Sequence, residues 1–589
     1  MSTHSENKTC QNCKNSFVIE PEDFDFYEKI KVPPPTFCPT CSHQRRFAWR
    51  NTHSLYKRKC SATGKDIISI YSPDKNLNVV DQKYWWSDEW DPFDYGFEYD
   101  FSLPFFSQWK KLRDTIPIQG LSNSKAVNSE YCNVAEESSD CYLVSAAWKN
   151  ERTMYSDSIT EIKDSLDLYV VHKSEFCFND CYCKDSYRLF YSEKSSSCTN
   201  SYFLYDCRGC TDCFMSSNLR NKSYIYFNQQ LLKNEYNKAI ANHNLGSHKE
   251  ILDLQHKFDQ LKIDSIHKYA NIINCNNVTG DDIDGVSDSK EIFDVSGNVR
   301  NSKYIYWAAK NIFDCYYCNA IGQLENSFES CDSGVGGSNY VSCNVVYNSS
   351  RIEYSFNCYN CSDCFGCYGL RNKQYCILNK QYTKDEYISL VSKIKKHMDE
   401  HPYVDNAERV YKYGEFFPVE LSPFCYNETL AQSFFPLTKE QISSNGYSYK
   451  EKEAKNYNIT INSENLPDNI KDVSDDVLNE IIQCDHRDKS FDKCSEAFKI
   501  TKDELAFYKR FEIPLPRLCY QCRHNERFLK RNPLKLWHRK CMCNKENHNH
   551  PSNSSGQVSG KCEVEFETSY APGRPEIVYC EKCYQQEVI

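Results

Sequence analysis

Two stretches at opposite ends of this chain carry the same cysteine spacing, and no other feature restricts its fold so strongly. Near the N-terminus the order is Cys10-x2-Cys13-x24-Cys38-x2-Cys41-x18-Cys60. Near the C-terminus it is Cys494-x24-Cys519-x2-Cys522-x18-Cys541. The residues between agree as well: FYEKIKVPPPTFC (Phe26 to Cys38) answers FYKRFEIPLPRLC (Phe507 to Cys519), and QRRFAWRNTHSLYKRKC (Gln44 to Cys60) answers NERFLKRNPLKLWHRKC (Asn525 to Cys541). One module has been used twice.

A Cys-x2-Cys turn presents two thiolates to one ion, and a second turn closes a four-coordinate structural zinc site. Units this small fold only when the ion binds. The spacing predicts a first site from Cys10, Cys13, Cys38 and Cys41, and a second from Cys494, Cys519 and Cys522 with Cys484 as the fourth ligand and His486 behind it. Cys541-x-Cys543 pairs with Cys580-x2-Cys583 in a third site, with Cys562, His548 and His550 as spare donors. Two to three Zn2+ ions per chain follow. In the N-terminal copy the matching stretch, Tyr71 to Asp74 and Asp81 to Tyr84, lacks the last cysteine pair, so Cys60 is expected to have no metal partner. The alternative is a set of buried thiols or a disulfide framework. Met1 to Lys8 is polar, and no apolar run approaches the roughly 18–20 residues that span a bilayer, so the expectation is a cytoplasmic protein without a membrane partner. In that compartment the 34 cysteines persist as thiols or metal ligands.

The run from Cys10 to Arg46, with its FY-containing stretch, Pro-rich approach, second Cys-x2-Cys and Arg pair, resembles the probable zinc-ribbon domain. Trp85 to Pro92 (WWSDEWDP) and Tyr570 to Val588 resemble uncharacterised multi-cysteine proteins of candidate-phyla bacteria. That resemblance implies zinc binding and no assigned activity; a CoA-transferase label carried by some relatives finds no support in these residues.

At 589 residues the chain is too long for one core. Between the modules a unit of Asn/Asp/Ser, then Ser/Cys, then an aromatic recurs, as in Asn128-Ser-Glu-Tyr131, Ser139-Asp-Cys-Tyr142, Thr211-Asp-Cys-Phe214, Phe313-Asp-Cys-Tyr316 and Ser362-Asp-Cys-Phe365. Short β-rich units with polar corners predict a solenoid. Each array closes alike, at Leu219-Arg-Asn-Lys222 and at Leu370-Arg-Asn-Lys373, and a helical pattern follows each, at 231–269 and 384–397, as caps over exposed strand edges. The expected fold is mainly β and modular, with terminal zinc-ribbon or treble-clef-like modules flanking two helix-capped β-solenoid arrays. The divisions are a zinc module at 1–84, an aromatic-rich connector at 85–127, arrays at 128–270 and 271–410, a connector and polar linker at 411–483, and the duplicated module with an extra ribbon at 484–589. Residues 450–483 read as the linker and 551–560 as a low-complexity loop.

Three constellations suggest function. Cys358-x2-Cys361-x2-Cys364-x2-Cys367, echoed by Cys207, Cys210 and Cys213, resembles an iron-sulfur ligand run, although Tyr368 stands where a Pro usually follows. The same spacing also fits buried thiols at tight solenoid corners. Basic residues gather at equivalent places in the two copies: Arg45, Arg46, Arg50, Lys57 and Arg58, then Arg523, Arg527, Lys530, Arg531 and Arg539. On a chain of net charge −10 they point to a local phosphate-binding clamp, with Phe47, Trp49, Phe528 and Trp537 as stacking faces, and so to RNA or a ribonucleoprotein; a solvated basic face is the plainer alternative. No paired acidic motif or phosphate-cradling glycine loop stands out. The reading is a non-enzymatic zinc-dependent binding or scaffold protein. A redox protein with a metal cluster and a carbohydrate-active solenoid are the alternatives.

Overall fold

The structure is a computed structural model that describes residues 5–452, 456–486, 493–545, 548 and 561–589. Strands predominate, with twelve α-helices among the described residues, and the chain is modular and mainly β. No described helix is long and apolar enough to cross a membrane.

Two large sheets fill the middle, one of 12 strands between Asn123 and Gln230 and one of 10 between Ile272 and Gln381. Their pairings are parallel apart from a closing hairpin at the end of each. In the first sheet Asn133 pairs with Ser145, Asp157 with Tyr169, and Tyr187 with Thr199, all at the same offset of twelve positions. The second sheet keeps that offset from Ser338–Ser350 to Ser362–Gln374 and widens it by one position where Lys290 pairs with Lys303.

This constant offset is built from a period of three. From Tyr131 to Asp206 every third residue has φ near +50°, and the residue that follows each, from Cys132 to Cys207, is buried. The left-handed conformation costs an ordinary L-residue about 1–2 kcal/mol and is easiest for Asn and Asp, which accounts for Asn128, Asp140, Asp164 and Asp212 at these corners. The narrow interior takes small side chains, and serine there is satisfied twice. Ser165 Oγ donates to Lys163 O at 2.6 Å and accepts the Cys177 N–H at 2.9 Å; Ser156 does the same with Met154 O and Leu168 N–H. A buried amide that would otherwise lack a partner is thereby paired with the previous rung.

Helices Lys233–Ala241 and His248–Asp264 follow the first sheet and Lys384–Glu400 the second. Leu254 and Phe258 bury against the aromatic face that includes Phe203 and Phe214, and Val391 and Ile394 join the core that includes Phe365 and Ile377. Residues 456–483, read from sequence as part of a polar linker, are packed instead: Leu466, Ile470, Val473, Val477 and Ile482 are buried in the same cluster as the first capping helices. Isolated apolar residues among charges conceal this, because each is delivered by a short 3-10 turn or strand end and not by a continuous amphipathic element. Residues 551–560 lie outside the described residues.

The two copies of the duplicated module dock crosswise. The N-terminal copy sits on the second array, where Phe26 stacks on Tyr316 with centroids 3.9 Å apart and Asp23 binds Lys303 at 2.9 Å. The C-terminal copy sits on the first, where Phe507 packs against Phe178 and Glu504 accepts the Tyr155 hydroxyl at 2.9 Å. Phe26 and Phe507, like Asp23 and Glu504, occupy matching places in the repeat.

Candidate metal centres

Three groups of four cysteines bring their sulfur atoms within 4.8 Å of one another: Cys10, Cys13, Cys38 and Cys41; Cys484, Cys494, Cys519 and Cys522; and Cys541, Cys562, Cys580 and Cys583. Sulfurs at about 2.3 Å from a tetrahedral ion stand about 3.8 Å apart. The sulfurs of Cys13 and Cys38 are 3.7 Å apart, Cys484 and Cys522 3.8 Å, Cys562 and Cys580 3.9 Å, and Cys494 and Cys519 4.0 Å. No disulfide joins any described cysteine. These groups could hold metal ions.

Each group is assembled in one way. Two cysteines stand beside the ends of a pair of antiparallel strands, and a short helix supplies two more from its N-cap and third positions. Cys38 caps Pro39–Phe47, Cys519 caps Tyr520–Leu529 and Cys580 caps Glu581–Val588. The N–H of each capping cysteine donates to a sulfur beside the strands, Cys10, Cys484 or Cys541, at 3.2 Å in all three. Between the sulfurs themselves the Cys541 and Cys580 thiols shift in opposite directions, Cys580 drawn down to about 5 by the hydrogen bond with Cys541 and Cys541 pushed up by the same contact.

The third site divides the expected ligands between two adjoining candidate groups. Cys562, expected as a spare donor, is a member of the four-cysteine group, and Cys543 is not; Cys543 lies 3.2 Å from His548 Nδ1 in an adjoining group that shares Cys583. The cause is an insertion. Lys540 pairs with Glu565 as Lys59 pairs with Asp66, which puts Cys562 where Thr63 stands in the N-terminal copy. A long insertion therefore separates the two strand-end cysteines, Cys541 and Cys562, and Cys543 at its start completes a Cys-x-Cys pair that imitates the motif. His550 lies outside the described residues. His486, expected behind the second group, is not among its members and lies 4.0 Å from Glu526.

In the N-terminal copy the fourth such site keeps its frame. Cys60 Sγ accepts the N–H of Asp81 at 3.2 Å, and Asp81 caps helix Gln82–Trp86 just as Cys580 caps its own helix. With Thr63, Asp81 and Tyr84 where the other copy has Cys562, Cys580 and Cys583, Cys60 belongs to none of the candidate groups among the described residues.

The central cysteines are built differently. Cys358, Cys361, Cys364 and Cys367 are consecutive inward positions of the three-residue period, each donating to the carbonyl two residues earlier at 3.3 to 3.5 Å. Cys207, Cys210 and Cys213 repeat that contact. Burial pushes the thiols of Cys177, Cys183, Cys315 and Cys358 well up, so they are held protonated.

Of the ten basic side chains read as a phosphate-binding surface, all but Lys57 have partners among the described residues. Arg45 reaches Glu329 and Glu415, Arg46 reaches Glu329 and Asn319, and Arg50 reaches Asp332. In the other copy Arg523 and Arg527 converge on Asp167, Lys530 on Glu193, and Arg531 lies over the rings of Phe434 and Phe528. Arg58 and Arg539 hold the matching carbonyls of Tyr71 and Tyr570. Phe47, Trp49 and Phe528 are buried among other rings. At the matching places Arg46 and Arg527, each copy grips a carboxylate of an array.

No family model matches the chain, and no curated protein matches it. Among solved structures it is similar to a protein of Desulfovibrio desulfuricans G20 assigned as an acetyltransferase, at 11% identity and a TM-score of 0.10, over 39% of this chain and 63% of that one. The likeness thus spans less than two thirds of that protein's length, and no argument rests on it.

Proposed function

We propose that this is a non-enzymatic, zinc-dependent scaffold or binding protein of the zinc-ribbon type, whose two parallel arrays are β-solenoids and whose terminal modules act as clasps. One observation carries the reading: the helix that completes each module's first four-cysteine group also inserts the buried arginine, Arg46 or Arg527, into an array. The ion fixes the helix, and the helix fixes the array. Closed four-thiolate groups with tetrahedral spacing are the usual structural site of zinc, and elemental analysis separates it from iron, which the same donors accept. The constant parallel offset from rung to rung supports the solenoid assignment. Because the basic faces point inward, the surface left for a partner is the outside of the arrays.

The test is elemental analysis followed by limited proteolysis with and without chelator. About three zinc per chain, and chelation that exposes both arrays to cleavage, are the expected results. A chelated protein as resistant as the loaded one overturns the clasp. Retention on heparin or single-stranded RNA with a steep salt dependence would restore the nucleic-acid reading; little retention at physiological salt is expected.

A further inference from the structure

Where the three parts of the molecule meet, a cluster of a different chemistry is formed. His53 comes from the N-terminal module, Asp157 from the first array, and His524 from the helix of the C-terminal module, and one donor atom from each lies within 4.8 Å of the other two. His53 Nε2 stands 3.4 Å from Asp157 Oδ2; two donors at about 2.1 Å from a tetrahedral ion are about 3.4 Å apart. The His53 and His524 rings lie with centroids 4.4 Å apart.

The surroundings orient these donors. Ser145 Oγ donates to Asp157 Oδ1 at 3.0 Å, leaving Oδ2 to face His53. Ser145 Oγ also lies 3.3 Å from His53 Nδ1, so with its proton on Nδ1 this imidazole has the Nε2 lone pair directed inward. Outer hydrogen bonds of this kind fix the tautomer of metal-binding histidines. His524 Nδ1 is buried and has no hydrogen-bond partner among the described residues. A plain His53–Asp157 ion pair leaves the His524 imidazole without a role; a cation shared by all three residues gives it one.

We propose that His53, Asp157 and His524 form a further metal site that takes a divalent transition ion such as Fe2+, Co2+ or Zn2+. Two imidazoles and one carboxylate leave coordination positions for water or an exchangeable ligand, unlike a closed four-thiolate group. The site exists only when both modules are docked, so the ion links the two ends of the chain.

The experiment is metal analysis of purified wild type beside His53→Ala and Asp157→Asn, with circular dichroism as the check on folding. Folded variants that contain one equivalent less metal than wild type are expected, with the thiolate-bound equivalents retained. Folded variants with unchanged metal content overturn the site. Should the variants not fold, wild type stripped of metal and given three equivalents of zinc, enough to fill only the thiolate groups, is titrated with Co2+: one equivalent bound without an intense thiolate charge-transfer band supports the proposal, and no binding overturns it.

Discussion

Arg527 and Asp167 lie 2.9 Å apart, and both are almost wholly removed from solvent, in the same relation as Arg46 and Glu329 at the other end of the molecule. Removing one member of a buried pair costs about 3–5 kcal/mol where the other charge is stranded; here Arg45 still reaches Glu329 and Arg523 still reaches Asp167, so the loss is smaller. Arg527→Ala and Arg46→Ala are each expected to lower unfolding stability by about 1–3 kcal/mol in denaturant titrations. Replacing Arg46 by Met together with Glu329 by Leu is expected to recover most of the loss, because no charge is left unpaired.

The membership of the last four-cysteine group can be separated by two substitutions. Cys562→Ser removes one of the four grouped sulfurs and is expected to lower metal content by one equivalent per chain. Cys543→Ser is expected to leave the ion of that group in place. Elemental analysis of the two proteins distinguishes this arrangement from the Cys541, Cys543, Cys580, Cys583 set that motif spacing favours.

Inward serines and cysteines of the arrays predict opposite responses to small changes. Ser156→Ala removes the acceptor of the buried Leu168 N–H and is expected to cost about 1–3 kcal/mol. Cys364→Ser places between Ile352 and Cys376 a hydroxyl that can donate to the Ser362 carbonyl as the sulfur does, and is expected to change stability little. Denaturant midpoints measure both, and a large loss for Cys364→Ser would show that its sulfur does more than fill the corner.

Burial opposes ionisation of Glu193, yet Lys530 and Lys262 hold its carboxyl down to about 2 from an ordinary value of 4.5. Its folded pKa is depressed, so its contribution is present in full above the unfolded value and disappears as pH falls from about 4.5 towards 2. The full contribution is about 3 kcal/mol. Glu193→Gln is expected to be less stable than wild type at pH 6, with the gap narrowing as the pH is lowered below 4.5; a constant gap would refute the assignment.

The sequence shows most where chemistry imposes spacing. Cys10 to Cys41 and Cys519 with Cys522 are legible because a hairpin-and-helix ligand set has a fixed length, and Cys562 escapes because an insertion splits its hairpin. The third-residue run from Cys358 to Cys367 admits two readings, cluster ligands or corner thiols, until the run is seen to be part of a period that includes Ser349, Ile352 and Ser355. Arg46 and Arg527 are visible as a repeated basic pair, but a linear sequence does not reveal Glu329 or Asp167, hundreds of residues away, as their partners. His53 and His524 are hidden for the same reason. They fall at non-equivalent places in the repeat, and only the docking of both copies brings them together.

The crossed docking also fixes an order of events during synthesis. The first array leaves the ribosome long before the module that grips it, since Asp167 must wait for Arg527, whereas the N-terminal module is finished early and must wait for Glu329. Each half of the molecule is therefore made without its counterpart. Contacts of such long range are slow to close and leave sticky surface exposed meanwhile. Cells making this chain have to keep an open first array intact until its C-terminal module is made and, on the clasp proposed above, charged with metal; on that proposal a shortage of the ion would strand a nearly complete protein in its unclasped form.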